Sequence, residues 1–416
     1  MNDILKNGAL YTIGSILTQF SSILVSIYFM KVFSVSQYGA YIFILSIGSV
    51  SFGTIDNCVT QIFLSRLSQS KSKFTETSKW QFLVLITAII LYCSLLLFIG
   101  IYNWNLLRIS AIILGAPFLQ SIFRPTLLFF VHEERRSSVF LKDVVLATVK
   151  CSFIGLFFLF HPSFYVSVSI NLISVASVTI YLFRLRSRNG MGPLFTNATM
   201  KDSLEYIKST WLLALLTLIN YSYNRAQVFI IEAVKGFHVL GVFTGASQFV
   251  YPLMFVSSAF SAAVYPKLTK LSSGGDIQEF ERITKFSCST MAFVGVLIST
   301  VLFMLFPIIN NILFSGKYIN STEVFRIMIW IIPIIFYYST ISNALVALGR
   351  VHLMVYVNIV ALLFMIVIGG ISLQRFSVNG VAVVTVVTEL AILAFYRIVF
   401  SSVLIKEREA WRASQL

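Results

Sequence analysis

The chain has 416 residues, of which 57% are hydrophobic, 15% aromatic and only 11% charged, where a soluble domain carries about 25% charged residues. That composition leaves no room for a large soluble domain and reads as an all-α polytopic membrane protein. The formal charge of +15 does not point to nucleic acid, because the bases sit in connectors between apolar runs, where they act as topology signals and contacts with anionic membrane lipid.

A bilayer core about 30 Å thick is crossed by about 20 apolar residues rising about 1.5 Å each, and the sequence predicts about twelve such spans. Span 1 (9–31) places Ser15, Gln19, Ser22 and Ser26 three and four residues apart, on one helix face. Span 2 (39–62) lines up Ser46, Ser49, Gly53, Asp56 or Asn57, and Thr60 in the same way. Span 3 covers 80–101, span 4 (109–131) holds Arg124 between Pro117 and Pro125, span 5 (143–160) holds Lys150, and span 6 covers 164–183. The longest polar connector follows, with Gly190, Gly192 and Pro193 and an amphipathic lead-in to Lys208. It divides the chain into an N-terminal six-helix lobe (1–190), a linker (191–208) and a C-terminal six-helix lobe (209–416).

Span 7 (209–231) carries Asn220, Tyr221, Ser222, Tyr223 and Asn224 beside Arg225, and span 8 (239–265) adds Gln248 and Tyr251. Spans 9 (286–313), 10 (325–347) and 11 (352–373) are apolar, and span 12 (379–403) contains Glu389. With both termini in the cytoplasm, 21 of the 31 basic residues fall in inner loops and five in outer loops, as the positive-inside rule requires. An internal echo links Gln37-Tyr38-Gly39-Ala40-Tyr41 to Val239-Leu240-Gly241-Val242-Phe243, 202 residues later; duplicated folds of this kind are common in transporters. Prolines 117, 125, 252, 307 and 333 fall inside spans and predict kinks.

A charge inside a bilayer costs about 2.5–3.5 kcal/mol on insertion scales, so it needs a partner or a wet cavity. Asp56, Arg124, Lys150, Arg225 and Glu389 are the five such residues away from span ends. One reading is a cationic cavity in which Arg124, Lys150 and Arg225 meet an anionic substrate, with arginine offering a bidentate fork; the competing reading is structural pairing, above all Asp56 with Arg124. The small polar stripes equally suit helix packing. Cys58, Cys93, Cys151 and Cys288 all lie in apolar runs with no disulfide or zinc spacing and are expected as small buried hydrophobes. The run His132-Glu133-Glu134-Arg135-Arg136 lacks a second histidine for a zinc motif. With no P-loop, catalytic triad or metal cluster in the sequence, neither an enzymatic activity nor a cofactor or metal is expected.

Several short runs keep order and spacing along the chain: Asn7-Gly8 through Val32-Phe33, Tyr38-Gly39-Ala40-Tyr41, Gly241-Val242-Phe243 with Ala246, Tyr265-Pro266-Lys267-Leu268, Phe314-Ser315-Gly316-Lys317-Tyr318, Ala347-Leu348-Gly349-Arg350 and Asn379-Gly380-Val381-Ala382. In these the chain resembles the Wzx-type polysaccharide flippases of the multidrug/oligosaccharidyl-lipid/polysaccharide exporter superfamily. The resemblance implies two six-helix lobes around a central cavity, alternating access, and a substrate that is an undecaprenyl-pyrophosphate-linked oligosaccharide moved from the cytoplasmic to the periplasmic leaflet of the bacterial inner membrane. On that reading an O-antigen repeat unit is the cargo, with its pyrophosphate on Arg124, Lys150 and Arg225. Its sugars meet Asn220, Tyr223, Asn224, Gln19 and Gln248, and Asp56 or Glu389 carries coupling protons. A polysaccharide polymerase and a chain-length regulator are then expected partners. Two rivals are a cation-coupled multidrug exporter of the same superfamily and a non-transporting scaffold of a polysaccharide assembly complex.

Overall fold

The structure, a computed structural model, describes residues 2–415 except 70–71, 134, 161–162, 190–199, 275 and 351. Residues 191–199 of the predicted linker therefore lie outside the described residues, and 200–208 are helical. Among the described residues there is no strand, and the chain runs through fourteen α-helices. The first seven are α1 (Asn2–Val32), α2 (Val35–Gln69), α3 (Lys73–Tyr102), α4 (Leu107–Ile122), α5 (Arg124–His132), α6 (Arg136–Phe160) and α7 (Phe164–Arg188). The rest are α8 (Met200–Val250), α9 (Met254–Gly274), α10 (Ile277–Phe314), α11 (Ser321–Met328), α12 (Ile331–Ala347), α13 (His352–Phe364) and α14 (Gly370–Gln415). Nine helical stretches among the described residues are long and apolar enough to cross a membrane, and two of them, Leu204–Ser261 and Leu353–Ile405, each hold two predicted spans.

The prolines act in three ways. Pro125 opens α5, where its missing N–H costs nothing, so predicted span 4 breaks at Phe123. Pro252 sits in a short 3-10 turn between α8 and α9. Pro117 and Pro307 remain inside α4 and α10. Two of the predicted outer loops shrink to single backbone kinks: Gly236 (φ 75°) within α8 and Ser377 (φ 61°) within α14. Glycine adopts that left-handed region freely, whereas serine there is strained.

Contacts divide the chain into two units, Met1–Phe33 with Ala40–Ser222, and Ser34–Gly39 with Tyr223–Leu416. In the first, α1 lies along α6, and α4 packs between α3 and α7. Arg186, just past the end of predicted span 6 (164–183), lies on the buried face of α7 and is 2% exposed. Its guanidinium donates to Ser78 Oγ (2.6 Å), Gln81 Oε1 (3.3 Å) and Thr126 Oγ1 (3.4 Å), joining α7 to α3 and α5. The start of α8 is tied to α2 and α3 by Arg66–Glu205 (2.8 Å) and Lys79–Asp202 (3.6 Å).

In the second unit, α12 packs against α9, α10 and α14 around Leu268, Phe280, Ala344 and Leu345. Residues 34–39 belong here. Ser34 and Gln37 form a reciprocal capping box: the Gln37 N–H donates to Ser34 Oγ (3.2 Å) and the Ser34 N–H to Gln37 Oε1 (2.9 Å). The two glycines of the sequence echo meet in this unit. A Cβ on Gly39 would land on the carbonyl oxygen of Phe237 and 2.9 Å from the Gly241 nitrogen; a Cβ on Gly241 would land on the carbonyl oxygen of Val35. Glycine is required on both sides for the backbones to approach this closely.

The cysteines split. Cys58 and Cys288 are buried as expected, but Cys93 and Cys151 are exposed, because on a membrane helix an apolar neighbourhood includes faces turned outward.

Candidate functional site

The first unit contains a cavity of about 530 Å³ between α2, the α4–α5 break and the first part of α8. The polar stripe of α2 forms one wall: Ser49, Gly53, Asp56, Asn57, Thr60 and Gln61, recurring at three- and four-residue steps as a single face. Gln120 and Arg124 face it from α4 and α5, and Tyr221 closes it from α8. The ring of Tyr221 lies where a Cβ on Gly53 would come within 3.1 Å, so the missing side chain makes room for the aromatic wall. Ser46, predicted for this face, is instead buried away from the cavity.

The break at Phe123 places Arg124 on the first turn of α5. Its Nε (3.1 Å) and Nη2 (2.9 Å) both donate to Thr60 Oγ1, and Thr60 in turn donates to the Asp56 carbonyl oxygen (2.6 Å). Asp56 and Arg124 share the cavity, but among the described residues they form no direct ion pair. Asp56 Oδ1 and Ser121 Oγ are both buried, and the Ser121 hydroxyl lies against the Asp56 carboxylate. Gln61 donates to Asn57 Oδ1 (2.6 Å).

Lys150 takes a different place. It is 8% exposed, faces α1 from α6 and donates to Ser22 Oγ (3.0 Å); it does not line the cavity. About two helical turns away, buried Asp143 pairs with Lys142 (2.6 Å) and accepts from Thr18 Oγ1 (3.2 Å). Gln19 on α1 and Asn220 on α8 are exposed residues of this unit. Arg225 and Gln248 are half-buried and Asn224 is exposed in the second unit.

Glu389 lies in a separate polar centre of the second unit. It is 7% exposed and accepts from Tyr223 Oη (2.9 Å to Oε1) and Tyr338 Oη (2.7 Å to Oε2). Tyr396 stacks on Tyr338 at 5.5 Å. Both donors are neutral, and among the described residues no lysine or arginine forms an ion pair with this carboxylate. Tyr223, expected from sequence beside the substrate, thus spends its hydroxyl on Glu389. Tyr338 and Thr60 were not singled out as site residues from sequence, because a tyrosine in an apolar span and a threonine on a stripe read equally well as packing. Among the described residues no cluster of three or more metal-ligating side chains occurs.

The MatE family model matches residues 213–371. No curated protein matches the sequence. Among solved structures, the chain is similar to a multidrug resistance MATE family transporter of the MOP superfamily in an inward-facing conformation (TM-score 0.77, 12% identity, 94% of this chain and 96% of that one). It is similar also to the lipid II flippase MurJ in an inward closed conformation (TM-score 0.73, 13% identity, 97% and 92%). A third likeness is to a MOP superfamily transporter from Pyrococcus furiosus whose binding pocket is described as reversed in polarity (TM-score 0.68, 11% identity, 97% and 96%). At these identities the likeness fixes the fold: the chain is an all-α, multi-pass membrane protein built like the MATE transporters of the MOP superfamily and the flippase MurJ.

Proposed function

We propose that this protein is a flippase of the bacterial inner membrane, carrying an undecaprenyl-pyrophosphate-linked oligosaccharide, of the O-antigen repeat-unit type, from the cytoplasmic to the periplasmic leaflet by alternating access. The observation that carries the reading is the polar cavity at Arg124: a guanidinium whose remaining N–H groups are available to a phosphate oxygen, within walls of amide, hydroxyl and phenol groups. The likeness to a lipid II flippase supports a lipid-linked glycan as cargo. Lys150 and Arg225 are proposed as further contacts for the pyrophosphate along its path. Asn220, Asn224, Gln19 and Gln248 are proposed for the sugars, with the prenyl chain in lipid. Glu389, held by two tyrosines, is the proposed site of proton coupling. A polysaccharide polymerase and a chain-length regulator are the partners that such a cargo implies.

The likeness to a multidrug MATE transporter favours a second reading, export of cationic drugs, with Asp56 as the cavity carboxylate. Complementation separates the two. In a flippase-null strain the wild-type gene restores surface polysaccharide and Arg124→Ala, at equal protein level, does not. Raised drug resistance on overexpression without restored polysaccharide supports the exporter instead.

A further inference from the structure

Among the described residues, two that are not glycine have a positive φ. Ser315 (φ 50°, ψ 43°) ends α10 in the ordinary left-handed region, a common way to close a helix. Ser377 (φ 61°, ψ −158°) is different: that region is open to glycine and to almost no other residue. The kink in α8 has nearly the same conformation (φ 75°, ψ −176°), and there the residue is Gly236. The second unit thus contains one kind of kink twice, relaxed in α8 and strained in α14.

A strained backbone persists where its surroundings fix it, and Ser377 is fixed from both sides. A Cβ on Gly380 would collide with the Ser372 side chain and carbonyl oxygen, so the chain after the kink presses on the chain before it. Asn379 donates to Glu323 Oε2 (2.8 Å), tying the start of the second limb to α11. About three helical turns beyond the kink, Glu389 is gripped by Tyr223 and Tyr338. Upstream, the limb 370–376 begins at a π-helical turn (Met365–Gly369), a rare form that recurs at functional sites. A short limb is therefore irregular at both ends, and the helix beyond it carries the buried carboxylate.

We propose that Ser377 is a sprung joint. The strained kink is one of two conformations of the second unit, and its release swings the part of α14 that follows, with Glu389, away from Tyr223 and Tyr338. The tyrosine hydrogen bonds and the Gly380–Ser372 contact hold the loaded form, and the serine backbone pulls against them. A glycine, as at 236, removes the pull and leaves the loaded form favoured. The joint is argued from the second unit alone and holds for any cargo; that its swing moves a coupling carboxylate rests on the flippase reading.

The test is the distance between spin labels on Ile308 of α10 and Val383 of α14, both exposed. It uses the full-length protein in nanodiscs, with the four native cysteines replaced by alanine. The wild type is expected to show two distances. Ser377→Gly shifts their ratio about tenfold toward the loaded form, the fold-change that relief of such strain carries. Ser377→Ala drops the hydroxyl but keeps the Cβ, and leaves the ratio as in the wild type. Thermal unfolding with the native cysteines in place is the second measurement: Ser377→Gly gains about 1–2 °C and Ser377→Ala gains nothing. A single wild-type distance unmoved by glycine overturns the proposal, as does an alanine variant that behaves like glycine, or a glycine variant no more stable than wild type. In the flippase-null strain, Ser377→Gly is expected to restore surface polysaccharide more slowly than the wild-type gene, and equal recovery overturns the joint's part in transport. A wild-type gene that restores none sinks the flippase reading, while the distances still decide the joint.

Discussion

Two buried charges show how differently a membrane helix bundle uses an ionised side chain. Arg186 serves as a brace, its fork spread over Ser78, Gln81 and Thr126 on two other helices. Replacing it with alanine removes three hydrogen bonds to a charged group, although Thr126 still donates to Gln81 Oε1 (2.7 Å) and Ser78 to the Phe74 carbonyl oxygen (3.1 Å), so the loss is that of the charge-assisted contacts and the packing, about 1.5–3 kcal/mol for each such bond at most. We expect Arg186→Ala to lower the unfolding temperature in detergent markedly, with Arg186→Lys recovering little because an ammonium cannot span three acceptors. Glu389 is held by two tyrosines and, among the described residues, pairs with no lysine or arginine. Glu389→Gln keeps a group that both hydroxyls can reach, so the fold is expected to persist while transport in proteoliposomes stops responding to an imposed pH gradient. A variant that still accumulates cargo with the gradient would remove Glu389 from the coupling step.

At the scale of the element, the ends of helices are where local chemistry can be read and tested. The capping box at the start of α2 satisfies two otherwise orphaned N–H groups, and Ser34→Ala is expected to cost about 1 kcal/mol of stability, visible as a lower melting temperature. On the opposite side of the spans, Lys73 at the start of α3 donates to Glu133 after α5 (2.7 Å). That hydrogen bond holds the Glu133 carboxyl below the usual carboxylate range. Because its folded value is depressed, the stabilisation is present above the ordinary carboxylate range and is lost as pH falls through the lowered value. Both groups are about a third exposed or more, so water screens the pair and its worth is about 0–1 kcal/mol. A Lys73→Ala variant should unfold at nearly the wild-type temperature in acid and slightly lower at neutral pH. Helix positions were legible because apolar runs of span length have one solution in a bilayer: all twelve predicted spans lie on helices. Their joints were less so. Pro125 gives no sign in sequence of whether it kinks a helix or starts one, and that choice is what turns Arg124 into the cavity. Gly236 and Ser377 looked like loops because Lys235 and Arg375 beside them are charged, yet each resolves to one residue of unusual φ.

For the whole molecule, the α2 stripe was visible as spacing, and five charges within apolar spans were visible as cost. The meeting of Asp56 and Arg124 was expected as an ion pair; that they line one cavity without pairing directly, and that Lys150 is turned toward α1, was not legible. The glycine crossing carries a consequence that reaches beyond one contact. Val35 and Phe237 stand 202 positions apart, and so do Gly39 and Gly241; each glycine presses on the other copy's partner. The contact is unchanged when its two sides trade places, the property of a face that pairs with itself across a twofold axis. A half-length ancestor meeting its own twin at this point would have carried the requirement for glycine once, and fusion would have written it into the chain twice. Alanine at either position should then cost the same, about 1–3 kcal/mol or more of overpacking. The double variant should cost less than the sum, because the first methyl already holds the backbones apart. Unequal single costs, or strict additivity in thermal unfolding, would show that the two sides have since drifted into different roles.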